Sequence, residues 1–256
     1  MSPDLRLLEV VEQIAHRAAE VVLRIYRSEF TVDTKSDATP VTLADQQAEA
    51  LILEGLASLD ASIPVVAEES VAAGRIPTID PARRFWLVDP LDGTREFIDR
   101  NGEFTVNIAL IEAGVPVLGV VLAPALGVAY SGLVGHGAWR ADESTRQPIR
   151  CRATPEAGLA VVASRSHGDE RALDAFLVGQ RVASRVNAGS SLKLCLLAEG
   201  RADLYPRLGR TMEWDIAAGH AVLAAAGGSV CRIDDGHALR YGKAGFENPH
   251  FVARGL

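Results

Sequence analysis

Apolar positions Leu5, Leu8, Val11, Ile14, Ala15, Ala18, Val21, Val22 and Ile25 recur every three or four residues, which predicts a long amphipathic helix. A polar stretch over 31–40 follows it, and Thr42 reads as the N-cap of a second helix. Asp45 sits three residues on, and Leu51, Ile52 and Leu56 share one face. Short apolar runs at 63–67 and 85–88 predict strands, separated by a surface loop over 70–84. Further β runs at 104–111, 117–122, 128–133 and 137–139, divided by Gly and Pro, predict antiparallel meanders. Beyond residue 155 the pattern changes to alternating elements. Strands are expected at 159–163, 181–186, 202–205 and 229–232, and helices at 169–178, 190–199 and 214–226. The break over 142–155 divides the chain into an N-terminal α+β half, 1–155, and a C-terminal α/β half, 156–256.

At 256 residues the chain suffices for one large domain or two small ones sharing a core. A net charge of −7 leaves no basic surface for nucleic acid, although a local basic pocket for a small anion remains compatible. The three cysteines, Cys151, Cys195 and Cys231, have no C-x-x-C spacing and sit at apolar positions, which points to core roles in a reducing compartment. The first twenty residues carry acids within an amphipathic pattern, unlike a signal peptide, and no apolar run is long enough to span a bilayer. A cytoplasmic protein is expected, as a monomer or homodimer.

Two segments stand apart: Trp86-Leu87-Val88-Asp89-Pro90-Leu91-Asp92-Gly93-Thr94 and Glu213-Trp214-Asp215-Ile216-Ala217-Ala218-Gly219. Each puts carboxylates at the end of an apolar element, where desolvation is costly unless a cation sits among them. Pro90 is expected to stop the strand ladder at Asp89. Gly93 permits a tight turn, and Thr94 sets a hydroxyl beside two acids. Glu68 and Glu69 close the run 63–67 as Asp89 and Asp92 close 85–88, so pairing of those strands would gather the acids at one sheet edge. Such oxygen donors suit Mg2+ or Mn2+. Each acid also has an ordinary explanation. Asp215 suits a helix N-terminus, Asp45 a capping box with Thr42, and Glu68 and Glu69 a solvated loop. Their coincidence with Asp-Pro-Leu-Asp-Gly-Thr favours a divalent-metal site.

Ala67-Glu68-Glu69-Ser70, Asp89-Pro90-Leu91-Asp92-Gly93-Thr94 and Trp214-Asp215-Ile216-Ala217-Ala218-Gly219 resemble the motifs of the inositol monophosphatase superfamily, lithium-sensitive phosphatases that require Mg2+. Ser164-Arg165-Ser166-His167, Gly189-Ser190-Ser191-Leu192-Lys193-Leu194-Cys195 and Tyr205-Pro206-Arg207 look like its CysQ branch, the 3′(2′),5′-bisphosphate nucleotidases. The resemblance implies a layered αβαβα sugar-phosphatase fold of α/β (α+β) class. It also implies a metal held by Glu68, Asp89 and the Leu91 carbonyl, and a second held by Asp89, Asp92 and Asp215, with a third, weaker ion near Glu68. Asp45 would pair with Thr94 to activate the attacking water, and Gly93 and Thr94 would bind phosphate oxygens.

The expected partner is a small phosphorylated nucleotide. Arg207 stands about where inositol phosphatases carry an acid that meets substrate hydroxyls, and its guanidinium fork suits a second phosphate. Lys193 and Arg165 add positive charge, Ser190 and Ser191 open a helix suited to an anion, and His167 is a candidate contact for the base or ribose. Arg207 also suits a surface ion pair, and His167 a cap ahead of Asp169. The implied reaction converts adenosine 3′,5′-bisphosphate to AMP within sulfur assimilation, with 3′-phosphoadenylyl sulfate as a second substrate. Alternatives are an inositol-1-phosphate or fructose-1,6-bisphosphate phosphatase, and a non-catalytic regulatory protein of the same fold.

Overall fold

A computed structural model of the protein describes residues 3–28, 40–165 and 169–256, so the polar stretch 31–39 and His167 lie outside the described residues. Helices α1 (Pro3–Arg27) and α2 (Pro40–Asp60) cover one face of a seven-stranded sheet. Its strands run in sequence order: β1 (Val65–Ala67), β2 (Arg84–Asp92), β3 (Thr105–Glu112), β4 (Val115–Ala123), β5 (Val128–Leu133), β6 (Gly137–Ala141) and β7 (Arg146–Ile149). The expected meander is present, since β2 to β7 pair antiparallel, while β1 joins β2 in parallel. Short helices α3 (Glu68–Ala72) and α4 (Thr94–Ile98) leave the ends of β1 and β2. Side chains alternate across β2: Trp86 and Val88 join the core under α1 and α2, and Phe85 and Leu87 face the other way.

A second sheet, of order β11-β12-β10-β8-β9, contains β8 (Leu159–Ser164), β9 (Val182–Ala188), β10 (Leu204–Arg207), β11 (Ser229–Arg232) and β12 (Phe251–Arg254). Helix α5 (Glu170–Leu177) packs on its outer face, with Leu173 and Leu177 against Val161, Leu204 and Val252. Helices α6 (Leu192–Ala198) and α7 (Glu213–Ala225) fill the space between the sheets and share one core with both. The layers are therefore αβαβα. Helix α7 is buried on every side over most of its length, as its Ala- and Gly-rich sequence allows.

The sheet meets α7 at glycines. A Cβ on Gly119 would lie 2.3 Å from the Ala218 carbonyl oxygen, and one on Gly132 would lie 2.6 Å from Val222 Cα. Gly119→Ala must push α7 off the sheet, and it is expected to cost about 1–3 kcal/mol. That should lower the thermal midpoint by roughly 3–10 °C, while a midpoint unchanged within about 1 °C would show that the contact relaxes freely.

Several expectations are corrected. Strand β2 does not stop at Asp89: it continues through Pro90 to Asp92, with a register shift between the two acids. A bulge needs no ladder hydrogen bond from the proline, and the Leu91 N–H donates instead to Asp89 Oδ1 at 3.1 Å. Thr42 is not an N-cap, because α2 begins at Pro40 and Thr42 falls inside it. Ser70, expected to open a loop, lies instead in α3 with Glu68 and Glu69, the acids expected to close the preceding strand. Helix α6 starts at Leu192, so Ser190 precedes it and Ser191 is its N-cap residue, making no side-chain cap. Strand β7 was not expected because Arg146–Ile149 is polar and exposed, with no alternation to read.

Candidate active site

The parallel pairing of Ala67 with Val88 places Glu68 beside Asp89 at the C-terminal ends of β1 and β2. Helix α3 is fixed by Glu49 of α2, whose carboxylate accepts the Glu69 N–H at 2.8 Å and the Ser70 hydroxyl at 2.6 Å. The bulge at Pro90 and Leu91 turns the chain so that Asp92 follows, and Gly93, at φ +98°, starts α4. Thr94 is the first residue of that helix. From the opposite side, α7 brings Asp215 in at its first turn. Asp215 does serve its own helix, accepting the Met212 N–H through Oδ2 at 2.9 Å. Ser191 Oγ donates to the Asp215 carbonyl at 2.5 Å and ties α6 to α7.

Together these residues line a cleft of about 480 Å³. Of the residues expected to act, Glu68, Asp89, Leu91, Asp92, Gly93, Thr94, Ser190, Lys193, Arg207 and Asp215 border it. Asp45 does not; it is buried in α2 behind Glu68 and Glu69. No hydrogen bond joins it to Thr94 among the described residues. Arg165 lies instead in an adjoining groove of about 320 Å³, of which Ser164 and Arg207 form a shared wall.

Burial and mutual repulsion act on the acids in the same direction. Asp89, 1% exposed, is held well above the usual carboxylate range by desolvation and by Glu68, Asp92, Asp215 and Asp45. Desolvation first, and Asp92 next, lift Glu68 to about 7. Asp92 is likewise raised to about 7 by burial and Asp215, against a lowering pull from Lys193. Asp215 rises to about 6, mainly through burial. Asp45 reaches about 8 through burial and the neighbouring Glu69, Glu68 and Glu49. Glu68 and Asp89 stand within hydrogen-bonding reach of each other, an approach that two carboxylates make only across a proton or a cation.

The donor set fits hard divalent ions: carboxylate oxygens and a backbone carbonyl, with no thiol or imidazole among the described residues that line the cleft. Among the described residues no three His, Cys, Asp or Glu side chains converge closely enough, as they stand, to hold a metal ion. The polar groups beside the acids are likewise unsatisfied. Asn107 and Thr105 face Asp89 and Asp92 across the sheet, both fully buried, and the Asn107 amide and Thr105 hydroxyl have no hydrogen-bond partner among the described residues. Orphaned polar groups beside repelling acids fit a region whose bonding bound ions and their water would complete.

Two cations flank the acids. Burial drives the Lys193 ammonium down to about 8 despite the attraction of Asp92, and its Nζ donates to the Ser190 carbonyl at 2.5 Å. Arg207 Nη2 donates to the Arg210 carbonyl at 2.9 Å, while its buried Nε has no partner among the described residues. Sequence reasoning missed Glu49, whose spacing one turn beyond Asp45 was a legible clue. It also missed Glu96, a buried acid in α4 bordering the cleft, and Tyr205, whose wall position follows only from the pairing of β10.

A five-layered α/β protein with buried carboxylates gathered between its sheets belongs to a defined class, and the sequence agrees. The chain belongs to the inositol monophosphatase family, which it matches over residues 5–252. Within that family it lies on the CysQ side. It is 48% identical over 227 residues to the 3′(2′),5′-bisphosphate nucleotidase CysQ of Salmonella typhimurium LT2, covering 88% of this chain and 89% of that protein. The protein of the same name from Escherichia coli K12 is 47% identical over the same shares. The crystal structure of CysQ from Bacteroides thetaiotaomicron, described as a bacterial member of the inositol monophosphatase family, superposes with a TM-score of 0.84 at 35% identity, covering 98% of this chain and 97% of that one.

Proposed function

We propose that the protein is a Mg2+-dependent phosphatase that removes the 3′-phosphate of adenosine 3′,5′-bisphosphate to give AMP, and acts likewise on 3′-phosphoadenylyl sulfate. One observation carries the reading: a cleft with Glu68, Asp89, Asp92 and Asp215 at its base has Lys193 and Arg207 on its wall, in a chain close to named CysQ nucleotidases. Acids that need cations and cations that suit a second phosphate meet in one space. The reading sets the protein in sulfur assimilation in the cytoplasm, in keeping with cysteines that form no disulfide among the described residues.

Glu68, Asp89 and the Leu91 carbonyl would hold one Mg2+, Asp89, Asp92 and Asp215 a second, and Glu68 a third, weaker ion; Mn2+ is a suitable substitute. When bound, the ions neutralise the phosphate dianion and make water a better nucleophile. Thr94 lines the cleft and Asp45 lies behind the acids, so the pair would orient that water. The amides of the first turn of α4, released by the left-handed Gly93, face out of the helix end and would hold phosphate oxygens. Arg207, Lys193 and Ser190 would grip the rest of the nucleotide, with Arg165 in the adjoining groove, and His167, outside the described residues, stays a candidate contact for the base or ribose. Both halves of the chain, 1–155 and 156–256, contribute to the site.

Initial rates with Mg2+ on adenosine 3′,5′-bisphosphate, inositol 1-phosphate and fructose 1,6-bisphosphate test the assignment. The nucleotide should lead by about tenfold or more in kcat/KM, and lithium should inhibit. A comparable preference for inositol 1-phosphate would overturn the reading.

A further inference from the structure

Glu103, just before β3, ties the first half of the chain to Arg165, Gly189 and Ser190 of the second. Its Oε2 accepts Arg165 Nε at 2.9 Å and the Gly189 N–H at 2.7 Å, and its Oε1 accepts Arg165 Nη2 at 2.9 Å. Its backbone carbonyl accepts the Ser190 hydroxyl at 2.9 Å. The fit is close: a Cβ on Gly189 would come within 2.8 Å of the Glu103 carbonyl oxygen, and Ser190 is held at φ +41°, unusual for a residue other than glycine. Two consequences reach the cleft. Arg165 is fixed in the groove beside Arg207, its Nη2 also bonded to the Asn187 carbonyl. The Ser190 carbonyl, set by the same tie, accepts Lys193 Nζ at 2.5 Å, the shorter of its two backbone contacts, the other being the Ala188 carbonyl at 3.4 Å.

We propose that Glu103 is a positioning residue for substrate selection: it orients Arg165 directly, and Lys193 through Ser190, toward the phosphate that does not react. This rests on the nucleotidase reading. A bidentate pair fixes a guanidinium in plane and direction, whereas an isolated exposed arginine samples many rotamers and loses that entropy on binding. A purely structural tie between the two halves would instead weaken all substrates alike.

Glu103→Gln separates the two. The amide oxygen still accepts the Gly189 N–H, but the amide N–H2 opposes the Arg165 fork. KM and kcat are measured with Mg2+ on adenosine 3′,5′-bisphosphate and on adenosine 3′-monophosphate, which lacks the second phosphate. E103Q is expected to raise KM for the bisphosphate about tenfold or more, and for the monophosphate by no more than about twofold, with kcat for the bisphosphate within about threefold of wild type. In an Arg165→Gln background, adding E103Q should raise KM little further, because the two act as a unit. Equal losses on both substrates, a fall confined to kcat, or additive effects in the double variant would overturn the assignment. If E103Q fails to fold, Glu103→Asp, which keeps the charge but shortens the reach, is read by the same split. Wild-type protein that does not favour the bisphosphate would defeat the nucleotidase reading and Glu103's role with it. A wild-type preference left intact in E103Q would defeat the role alone.

Discussion

Asp92→Asn is expected to lower kcat/KM by at least about a thousandfold while the metal-free protein becomes no less stable. The two effects share a cause. Asp92 is packed where burial and Asp215 oppose its charge, with Lys193 as the main compensation. A carboxylate kept in such a place does not serve the fold. Asparagine preserves the shape and removes the charge, so the proposed ligand for the divalent ions is lost and so is the repulsion of Asp92 with Glu68, Asp89 and Asp215. Initial rates in Mg2+ and thermal unfolding in a chelator measure the two sides. Turnover near wild type would remove Asp92 from the metal set, and a lower chelated midpoint would show that its charge stabilises the fold.

The second large effect is a reversal of pH dependence on metal removal. In the folded protein without metal, Asp215 titrates at about 6, Glu68 and Asp92 at about 7 and Asp45 at about 8, against ordinary values of 3.8 for Asp and 4.5 for Glu. Well below the ordinary value of 3.8 both folded and unfolded chains keep these protons. Between the ordinary and the raised values the unfolded chain gives them up while the folded chain retains them. The folded state therefore binds more protons there, and its stability falls as pH rises. The loss is spread over roughly pH 4 to 8 and flattens above. Lys193, lowered to about 8 from 10.5, acts in the opposite direction, but only above pH 8. In chelator the midpoint should fall by roughly 5–10 °C between pH 5 and 8. Saturating Mg2+ binds the deprotonated folded form and should restore about 2–4 kcal/mol at pH 8, and much less at pH 5. Unfolding scans with and without Mg2+ across that range check it, and a midpoint in chelator that climbs toward pH 8 would contradict the repulsion among the acids.

The meander was legible because its buried strands are nearly continuous apolar runs divided by Gly or Pro, as at Gly114, Gly127 and Gly137. Helices α1 and α5 announced themselves by periodicity, and α7 by its small residues. Asp169, read as the first residue of α5, is instead its N-cap, accepting the Arg171 and Ala172 N–H groups. Where reading failed, a local rule was overruled by a distant partner. Pro90 ends a regular ladder, but a bulge absorbs it. Glu68–Ala72 has no helical pattern of its own, and it is a helix because Glu49, about twenty positions earlier, caps it. Asp45, buried, and Thr94, lining the cleft, were joined by resemblance alone, and among the described residues no hydrogen bond links them.

What the sequence determined by itself is the chemistry: which oxygen donors are present, that they sit at strand and helix ends, and that the resemblance of three motifs points to one family. Composition and motif are local properties, written residue by residue. Only the tertiary structure decided which acids face one another, that orphaned Asn107 and Thr105 flank them, that Arg165 belongs to Glu103 and borders a second groove, and that Arg207 walls both spaces. Those relations depend on strand pairing, register and the seating of α7 on Gly119 and Gly132. Such contacts join residues far apart in the chain, and their energies have no trace in local sequence.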